Sequence, residues 1–139
     1  MDIFGEYLQK LERDLDRGLA TEQTYYGTLR QLLERIVPGV IALNNPKRVE
    51  CGAPDFLITK GNLTIGYIEA KDVGKSLDDA ERSDQMQRYL TALSNLILTD
   101  FLEFRWYVNG VRQATTRLAI AADGKVTKSK EGVQGTQEL

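Results

Sequence analysis

Two acidic residues and a lysine have a spacing that suits metal-dependent chemistry. Pro54-Asp55 is followed, after residues 56–68, by Glu69-Ala70-Lys71, and a turn is expected between them at Lys60-Gly61-Asn62. The turn places the two segments on adjacent predicted strands. Two neighbouring carboxylates are what a hard cation such as Mg²⁺ requires of a protein, and a lysine beside them can hold or deprotonate a water at a phosphate. The pattern indicates phosphodiester hydrolysis.

Strand geometry sets a condition on this site. Side chains alternate between the two faces of a strand, so Glu69 and Lys71 share one face while Ala70 points to the other. In an antiparallel hairpin the numbers of paired residues have a constant sum. A sum of 124 puts Asp55 opposite Glu69, with Cβ atoms about 5 Å apart, whereas a two-residue turn at Gly61-Asn62 gives 123 and sends Asp55 to the opposite face. The shared site therefore requires an odd-length loop or a bulge in one strand.

Two further groups are candidates for the same cation. The backbone carbonyl of Ala70 is one, since hard cations accept carbonyl oxygen. Residues of a helix are spaced by about 100° around its axis. In the second predicted helix this places Glu22 on the same side as the apolar residues, whereas Glu34 lies on the opposite side and is expected to be solvated. Glu22 is thus the better candidate for a contribution to the site. The alternative of equal weight is a helix-start carboxylate that is favoured by the helix dipole.

Polar and basic residues around the acids suggest contacts with a substrate. Gln85 and Tyr89 are four apart on a predicted helix and therefore share a face. Gln can orient a water or a DNA backbone group, and Tyr can pack while holding a phosphate oxygen; an ordinary amphipathic helix is the alternative. Five cations flank the site and could touch phosphates, although each taken alone is more typical of a surface charge: Lys47, Arg48, Lys75, Arg82 and Arg88.

The composition excludes several classes of enzyme. A chain of 139 residues is long enough to bury the core of one globular domain. The absence of histidine rules out Ser-His-Asp and Cys-His nucleophile systems, His-ligated zinc and a histidine base. The single cysteine, Cys51, excludes internal disulfides and cysteine-rich zinc sites. Acid–base chemistry must therefore use Asp, Glu, Lys, Tyr or a metal-bound water.

The charge and hydropathy of the chain bear on its partners and location. A net charge of −2 and a pI near 5.2 argue against a free-standing DNA binder, which usually carries a basic surface. They agree better with a catalytic domain that other domains carry to DNA. The apolar runs are far shorter than the roughly 20 residues of a membrane span, and no secretory leader is evident. We therefore expect an intracellular protein without membrane contact.

The periodicity and turn signals predict an α/β domain at residues 1–124. The predicted order is two helices, three strands, one helix and further strands, which indicates a mixed central β-sheet flanked by helices. Asn109-Gly110 is a strong hairpin signal. Residues 125–139 are predicted to be a polar linker or tail. The predicted helices span 2–19, 21–36 and 78–93, and the predicted strands span 40–43, 56–59, 63–70, 96–99, 103–108 and a segment within 112–121.

These motifs resemble those of a known nuclease superfamily. Pro54-Asp55, Glu69-Ala70-Lys71 and Gln85-x-x-x-Tyr89 resemble the PD-(D/E)XK nucleases, in their RecB-like branch. Local phrases are similar to the N-terminal nuclease domain of type ISP and type IIG restriction–modification polypeptides, which continue into helicase-like or methyltransferase domains. The resemblance covers about residues 20–110. The short segments that carry it are Thr21-Glu22 with Tyr25, 51–56, 66–72, 98–100 and 104–107.

The resemblance implies a restriction-endonuclease-like fold and a Mg²⁺-dependent DNA endonuclease, with Mn²⁺ able to substitute. By it, Asp55 and Glu69 bind the metal, Lys71 positions or activates the attacking water, and Gln85 and Tyr89 support the site and its DNA. By the same resemblance, Glu22 corresponds to the helical acid of the family.

The implied partners are double-stranded DNA, covalently linked helicase, methyltransferase and target-recognition domains, and a second copy for double-strand cleavage. The implied location is the cytoplasm of a bacterium or archaeon. Two alternatives stay open: a stand-alone repair nuclease or junction resolvase, and a non-catalytic DNA-binding or docking module with the nuclease fold.

Overall fold

The computed structural model describes residues 2–18, 21–73, 75–122 and 125–128. Within these ranges the chain forms helices and strands in the order α1 Ile3–Arg17, α2 Glu22–Ile36, β1 Val40–Asn44, β2 Phe56–Lys60, β3 Leu63–Ala70, α3 Leu77–Glu81, α4 Asp84–Ala92, β4 Asn95–Thr99, β5 Glu103–Val108, β6 Val111–Arg117, β7 Ala119–Ala122 and β8 Lys125–Lys128. None of the helices described is long and apolar enough to cross a membrane.

The central sheet contains β1 to β6 in chain order. Neighbouring strands are antiparallel except β3 and β4, which are parallel and are joined through α3 and α4. β7 and β8 form a separate antiparallel pair. The predicted mixed sheet, with two helices before the β2–β3 hairpin, is confirmed.

Helices cover both faces of this sheet. One core lies under α1 and α2, and its members include Leu11, Leu29, Phe56, Ile68, Ala70 and Phe104. A second core lies under α3 and α4, and its members include Leu77, Met86, Tyr89, Leu96, Leu98 and Tyr107. Because side chains alternate along β3, Ile68 and Ala70 point towards α1 and α2. Glu69 and Lys71 therefore have to point towards α4.

The ends of the first two helices agree with the sequence signals. The side chain of Asp2 accepts a hydrogen bond from the Gly5 N–H at 2.7 Å at the start of α1, and Gly18 ends the helix with φ +66°. Thr24 Oγ1 accepts from the Thr21 N–H at 3.3 Å at the start of α2. Leu19, the last residue of the first predicted helix, lies outside the described residues.

The single helix predicted at residues 78–93 is wrong, because the segment forms two helices. Ser83 interrupts it: its hydroxyl accepts from the Met86 N–H at 3.2 Å and donates to the Ala80 carbonyl at 2.7 Å. A serine that binds the N–H three residues ahead is an N-cap. It therefore begins a new helix, α4, instead of continuing α3.

The C-terminal part also differs from the prediction. The strand predicted within 112–121 is divided into β6 and β7, because the Leu118 N–H turns away to donate to the Leu102 carbonyl at 2.7 Å. β8 occupies residues 125–128, within the predicted polar linker. The remainder of that linker, 129–139, lies outside the described residues.

A β-bulge satisfies the condition that the sequence set on the β2–β3 hairpin. Next to the two-residue turn, Lys60 pairs with Leu63 and Thr59 with Thr64, which is the sum of 123. Beyond it, Ile58 pairs with Gly66 and the sum becomes 124. Ile65 is the extra residue. The bulge alternative is confirmed, and the new register leads to Asp55 opposite Glu69.

The bulge is held by β4. The Ile65 carbonyl accepts from Asn95 Nδ2 at 2.8 Å, and Asn95 Oδ1 accepts from the Trp106 indole N–H at 2.6 Å. A Cβ on Gly66 would lie 2.7 Å from the backbone oxygen of Asn95. The close approach of β4 therefore requires glycine at position 66.

Candidate active site

Asp55 is tied through its backbone to both neighbouring strands. Its carbonyl accepts from the Asn45 N–H at 2.8 Å and from Asn44 Nδ2 at 2.9 Å. Its own N–H donates to Glu69 Oε1 at 3.2 Å. These bonds hold Asp55 at the start of β2, between the end of β1 and the end of β3.

The carboxylate of Asp55 is held at both oxygens. Oδ2 accepts from the Ala70 N–H at 2.8 Å, and Oδ1 accepts from the Tyr26 hydroxyl at 3.3 Å. One bond comes from β3 and the other from α2. The side chain therefore has a defined orientation beside Glu69.

Lys71 links the acids to α4. Its ammonium donates to Glu69 Oε2 at 3.1 Å and to Gln85 Oε1 at 3.0 Å. Its backbone N–H donates to the Thr99 carbonyl at 2.7 Å, which continues the parallel pairing of β3 with β4. The structure thus brings together Asp55, Glu69, Lys71 and Gln85, four of the residues selected from the sequence.

The negative charges of Asp55 and Glu69 are only partly compensated by the neighbouring Lys71. Glu69 is only 5% exposed. Burial raises its pKa most, the charge of Asp55 raises it further, and Lys71 lowers it; the result is a pKa of about 7. Two like charges held this close resist joint ionisation. A bound cation would relieve that repulsion.

The donor set suits magnesium. The described residues contain no cluster of three or more His, Cys, Asp or Glu side chains placed for a metal. A cation here would therefore rest on Asp55 and Glu69 and complete its shell with other oxygens. Mg²⁺ binds in this way, through one or two carboxylates with several waters or phosphate oxygens. The Ala70 carbonyl stays a predicted ligand.

Glu22 borders the site through a cavity. Residues of α1, α2 and the end of β3 line a space of about 320 Å³, among them Glu22, Tyr26, Lys71 and Phe101. Glu22 is exposed at the start of α2, and its charge is one of the causes that raise the pKa of Tyr26, after burial and the charge of Asp55. Its contribution to the metal stays a prediction.

The expected role of Glu34 is wrong. Glu34 is not simply solvated, because its Oε2 accepts from the Ala42 N–H at 3.0 Å. Ala42 lies on β1, the strand at the edge of the sheet. The carboxylate therefore covers a backbone donor that an edge strand would otherwise expose.

The predicted contact of Tyr89 with DNA is not supported, since this residue is 1% exposed. Its ring packs on the 51–54 segment: a Cβ on Gly52, where φ is +135°, would lie 3.0 Å from Tyr89 Cε1. Burial raises the pKa of Tyr89, and the charge of Glu69 adds to this. Tyr89 thus supports the segment that leads into Asp55.

The five basic residues proposed for DNA binding are all exposed, as a phosphate contact requires: Lys47, Arg48, Lys75, Arg82 and Arg88. Arg82 pairs with Asp79 at 2.7 Å on the surface. Arg88 borders a shallow depression together with Glu50 and Cys51. Contact of these residues with DNA stays a prediction.

Several residues around the site were not found from the sequence. The sequence motifs give no role at the site to Tyr26, Asn44, Asn45 or Gly52. The hydroxyl of Tyr26 meets Asp55 only because α2 packs on the sheet. The signal for Gly52 is its residue type, because glycine permits a positive φ and the close approach of another group.

Comparison with known proteins supports the fold. No protein-family model and no curated protein matches this sequence. Among solved structures, the fold is similar to a chain of the cryo-EM structure of a DrdV–DNA complex, with a TM-score of 0.66 and 20% identity over 83% of this chain. This chain spans 12% of the length of that one. The mixed α/β architecture agrees with the restriction-endonuclease-like fold that the sequence predicted.

Proposed function

We propose that this chain is a Mg²⁺-dependent DNA endonuclease domain that hydrolyses phosphodiester bonds, as the cleavage part of a larger restriction–modification enzyme. The observation that carries the proposal is the convergence of Asp55, Glu69 and Lys71 at the end of the β2–β3 hairpin, with Lys71 bonded to both Glu69 and Gln85. The similarity in fold to a protein solved in complex with DNA supports the choice of substrate.

The two acids and the Ala70 carbonyl would hold the metal. When bound, Mg²⁺ offsets the charge that develops on the phosphate and the leaving oxygen. Because Asp55 is fixed by Tyr26 and the Ala70 N–H, its carboxylate needs little rearrangement to bind a cation. Such preorganisation is what a catalytic site requires of its ligands.

Lys71 and Gln85 form the part of the site that would meet water and phosphate. An ammonium has three donors, and Lys71 directs two of them to Glu69 and Gln85. The third can orient the attacking water or bind a phosphate oxygen. The carbonyl of Gln85 is bonded to Lys71, so the NH₂ group of the same amide is the part that can donate to DNA.

The charge of the chain favours a domain that works within a larger protein. A net charge of −2 offers little general attraction to DNA, so linked domains for target recognition, methylation or translocation would bring it to its substrate. The stand-alone nuclease and the non-catalytic docking module are the competing functions. The complete set of two acids and a lysine argues against the docking module.

Plasmid nicking in Mg²⁺ or Mn²⁺ tests the proposal. We expect weak, sequence-independent nicking by the wild type and none by Asp55→Ala or Lys71→Ala. Matched controls are Asp16→Ala and Lys10→Ala, which remove an exposed acid and a partly exposed lysine from α1. Equal nicking by the wild type and both site variants would refute the assignment, and so would a wild type that is inactive with either metal while linked to its natural neighbouring domains.

A further inference from the structure

We propose that Tyr26 is a positioning residue for Asp55: its hydroxyl holds one carboxylate oxygen in place and so raises the affinity of the site for its cation. The inference rests on the proposed function, because it concerns the same metal site. Tyr26 lies on α2, outside the sequence motifs that contain Asp55, Glu69, Lys71 and Gln85.

The first support is the bonding of the Asp55 carboxylate. Tyr26 donates to Oδ1 at 3.3 Å and the Ala70 N–H donates to Oδ2 at 2.8 Å. An ionised carboxylate can accept about four hydrogen bonds, so these two leave acceptor positions for a cation. Groups that bind metal-ligating carboxylates in this way orient them. Of the hydrogen bonds from described residues to the Asp55 carboxylate, removal of the Tyr26 hydroxyl would leave the one from the Ala70 N–H.

The second support is the fixed position of the Tyr26 ring. It stacks on Phe101, with ring centroids 6.2 Å apart and planes at 24°, and meets the edge of Phe56 at 5.5 Å and 77°. Both arrangements are favourable aromatic geometries. Tyr26 is therefore held on two sides, by residues that belong to the sheet and to the β4–β5 turn.

Phe101, the residue under Tyr26, is itself held in an unusual conformation. Its φ is +77°, a region that residues other than glycine rarely adopt. The Tyr7 hydroxyl donates to its carbonyl at 2.6 Å, and its N–H donates to Thr99 Oγ1 at 2.9 Å. Backbone strain persists where surrounding contacts enforce it, and it is concentrated at functional sites. Here the strained turn places the ring that supports Tyr26.

Tyr25 offers a matched control. It is the preceding residue of α2, it also packs against Phe101, with centroids 5.8 Å apart, and it lines the same cavity. Burial and then the charge of Asp14 raise the pKa of Tyr25, whereas the hydroxyl of Tyr26 is bonded to Asp55. Removal of one hydroxyl from either residue changes the packing by the same atom, but only the change at Tyr26 removes a bond to a metal ligand.

The test is calorimetric titration of the 139-residue chain with Mn²⁺, comparing the wild type with Tyr26→Phe and Tyr25→Phe. We expect Tyr26→Phe to weaken binding about tenfold, the lower end of the effect of such outer-shell partners, and Tyr25→Phe to bind as the wild type does. If Tyr26→Phe and Tyr25→Phe bind equally while the wild type binds Mn²⁺ through Asp55, the inference fails and the proposed function stands. If the wild type does not bind at all, both fail.

A second readout separates positioning from folding. The Mn²⁺ concentration that gives half-maximal nicking should rise about tenfold in Tyr26→Phe, while the rate at saturating Mn²⁺ stays within about threefold of the wild type, since the reacting groups are unchanged. A purely structural role would instead lower the thermal midpoint and the saturated rate and leave the half-maximal concentration unchanged. That outcome would overturn the inference.

Discussion

Two buried glutamates of the same sheet show how partners decide what a charged residue does. Glu69 on β3 and Glu103 on β5 are each 5% exposed. For Glu69, burial and then the charge of Asp55 raise the pKa to about 7, and Lys71 offsets this only in part. For Glu103, burial also tends to raise the pKa, but hydrogen bonds from Arg117 and Arg105 outweigh it and the pKa is lowered. Similar burial thus accompanies opposite shifts.

The environment of Glu103 is a network in which acids and bases satisfy one another. Arg105 donates to Glu103 at 2.7 Å, to Asp78 at 2.8 Å and to Glu81 at 3.3 Å, and Tyr107 also donates to Glu81. The partners lie on β5 and α3, so the network fastens that short helix to the sheet. This is a structural use of buried charge.

The environment of Glu69 differs because two acids share one lysine. The opposition of Asp55 and Glu69 leaves a position where a cation would be stabilised. We take this contrast to separate a candidate catalytic site from a structural ion network built from the same residue types. Replacement of each glutamate by glutamine makes the same chemical change at both sites and so tests the contrast.

The largest expected effect is on cleavage. Glu69→Gln should reduce metal-dependent nicking about a thousandfold, because a charged group placed for the transition state is lost. Glu103→Gln should change the rate at saturating metal no more than about threefold at temperatures where it is folded. Single-turnover nicking of supercoiled plasmid measures both. Comparable losses in the two variants would remove the functional distinction between the two glutamates.

The next largest effects are on stability, and they have opposite signs in Glu103→Gln and Glu69→Gln. Glu103→Gln should lower the free energy of unfolding by about 3 kcal/mol, because a buried arginine loses a charged partner. In metal-free buffer Glu69→Gln should raise it by up to about 1 kcal/mol, because the repulsion from Asp55 is removed. Urea denaturation in EDTA measures both values. A loss of stability in Glu69→Gln as large as that in Glu103→Gln would contradict this prediction.

A smaller effect on stability is expected from changing the β2–β3 bulge without changing any charge at the site. In Gly66→Ala the new Cβ meets the backbone oxygen of Asn95 at 2.7 Å, so β3 must move and the free energy of unfolding should fall by about 2 kcal/mol. Gly27→Ala, in α2 with open space at the Cβ position, should raise it by about 0.5 to 1 kcal/mol. Chemical denaturation gives both values. A neutral Gly66→Ala would show that the bulge does not depend on this approach.

The smallest expected effect is a pH dependence of the structural network. Since the pKa of Glu103 is lowered in the folded chain, its charge contributes stability that is fully present above its ordinary value of 4.5 and is lost as the pH falls through the lowered value. The stability difference between wild type and Glu103→Gln should therefore shrink in acid. Denaturation curves between pH 7 and pH 3 measure it, and a difference that grows in acid would have the wrong sign.

Much of the fold followed from local patterns. The first two helices, the β2–β3 hairpin and the Asn109-Gly110 turn agree with their signals, and both turn residues have positive φ, +50° and +81°. A parity argument left two ways for the two acids to share a face, an odd-length loop or a bulge in one strand, and the structure has the bulge. The break at Ser83 did not follow, because a serine within a helical pattern is compatible with either a cap or a solvated position.

The sequence by itself determined which residues form the hairpin, that Glu69 and Lys71 share a face, and that Asp55 could join them. Only the tertiary structure decided that Tyr26 binds Asp55, that Gln85 binds Lys71, and that Arg105 binds Glu103. The reason is physical. Periodicity and turns are set by neighbours along the chain, whereas the Tyr26 and Gln85 contacts join residues 29 and 14 positions apart and exist only once α2 and α4 have packed on opposite faces of the sheet.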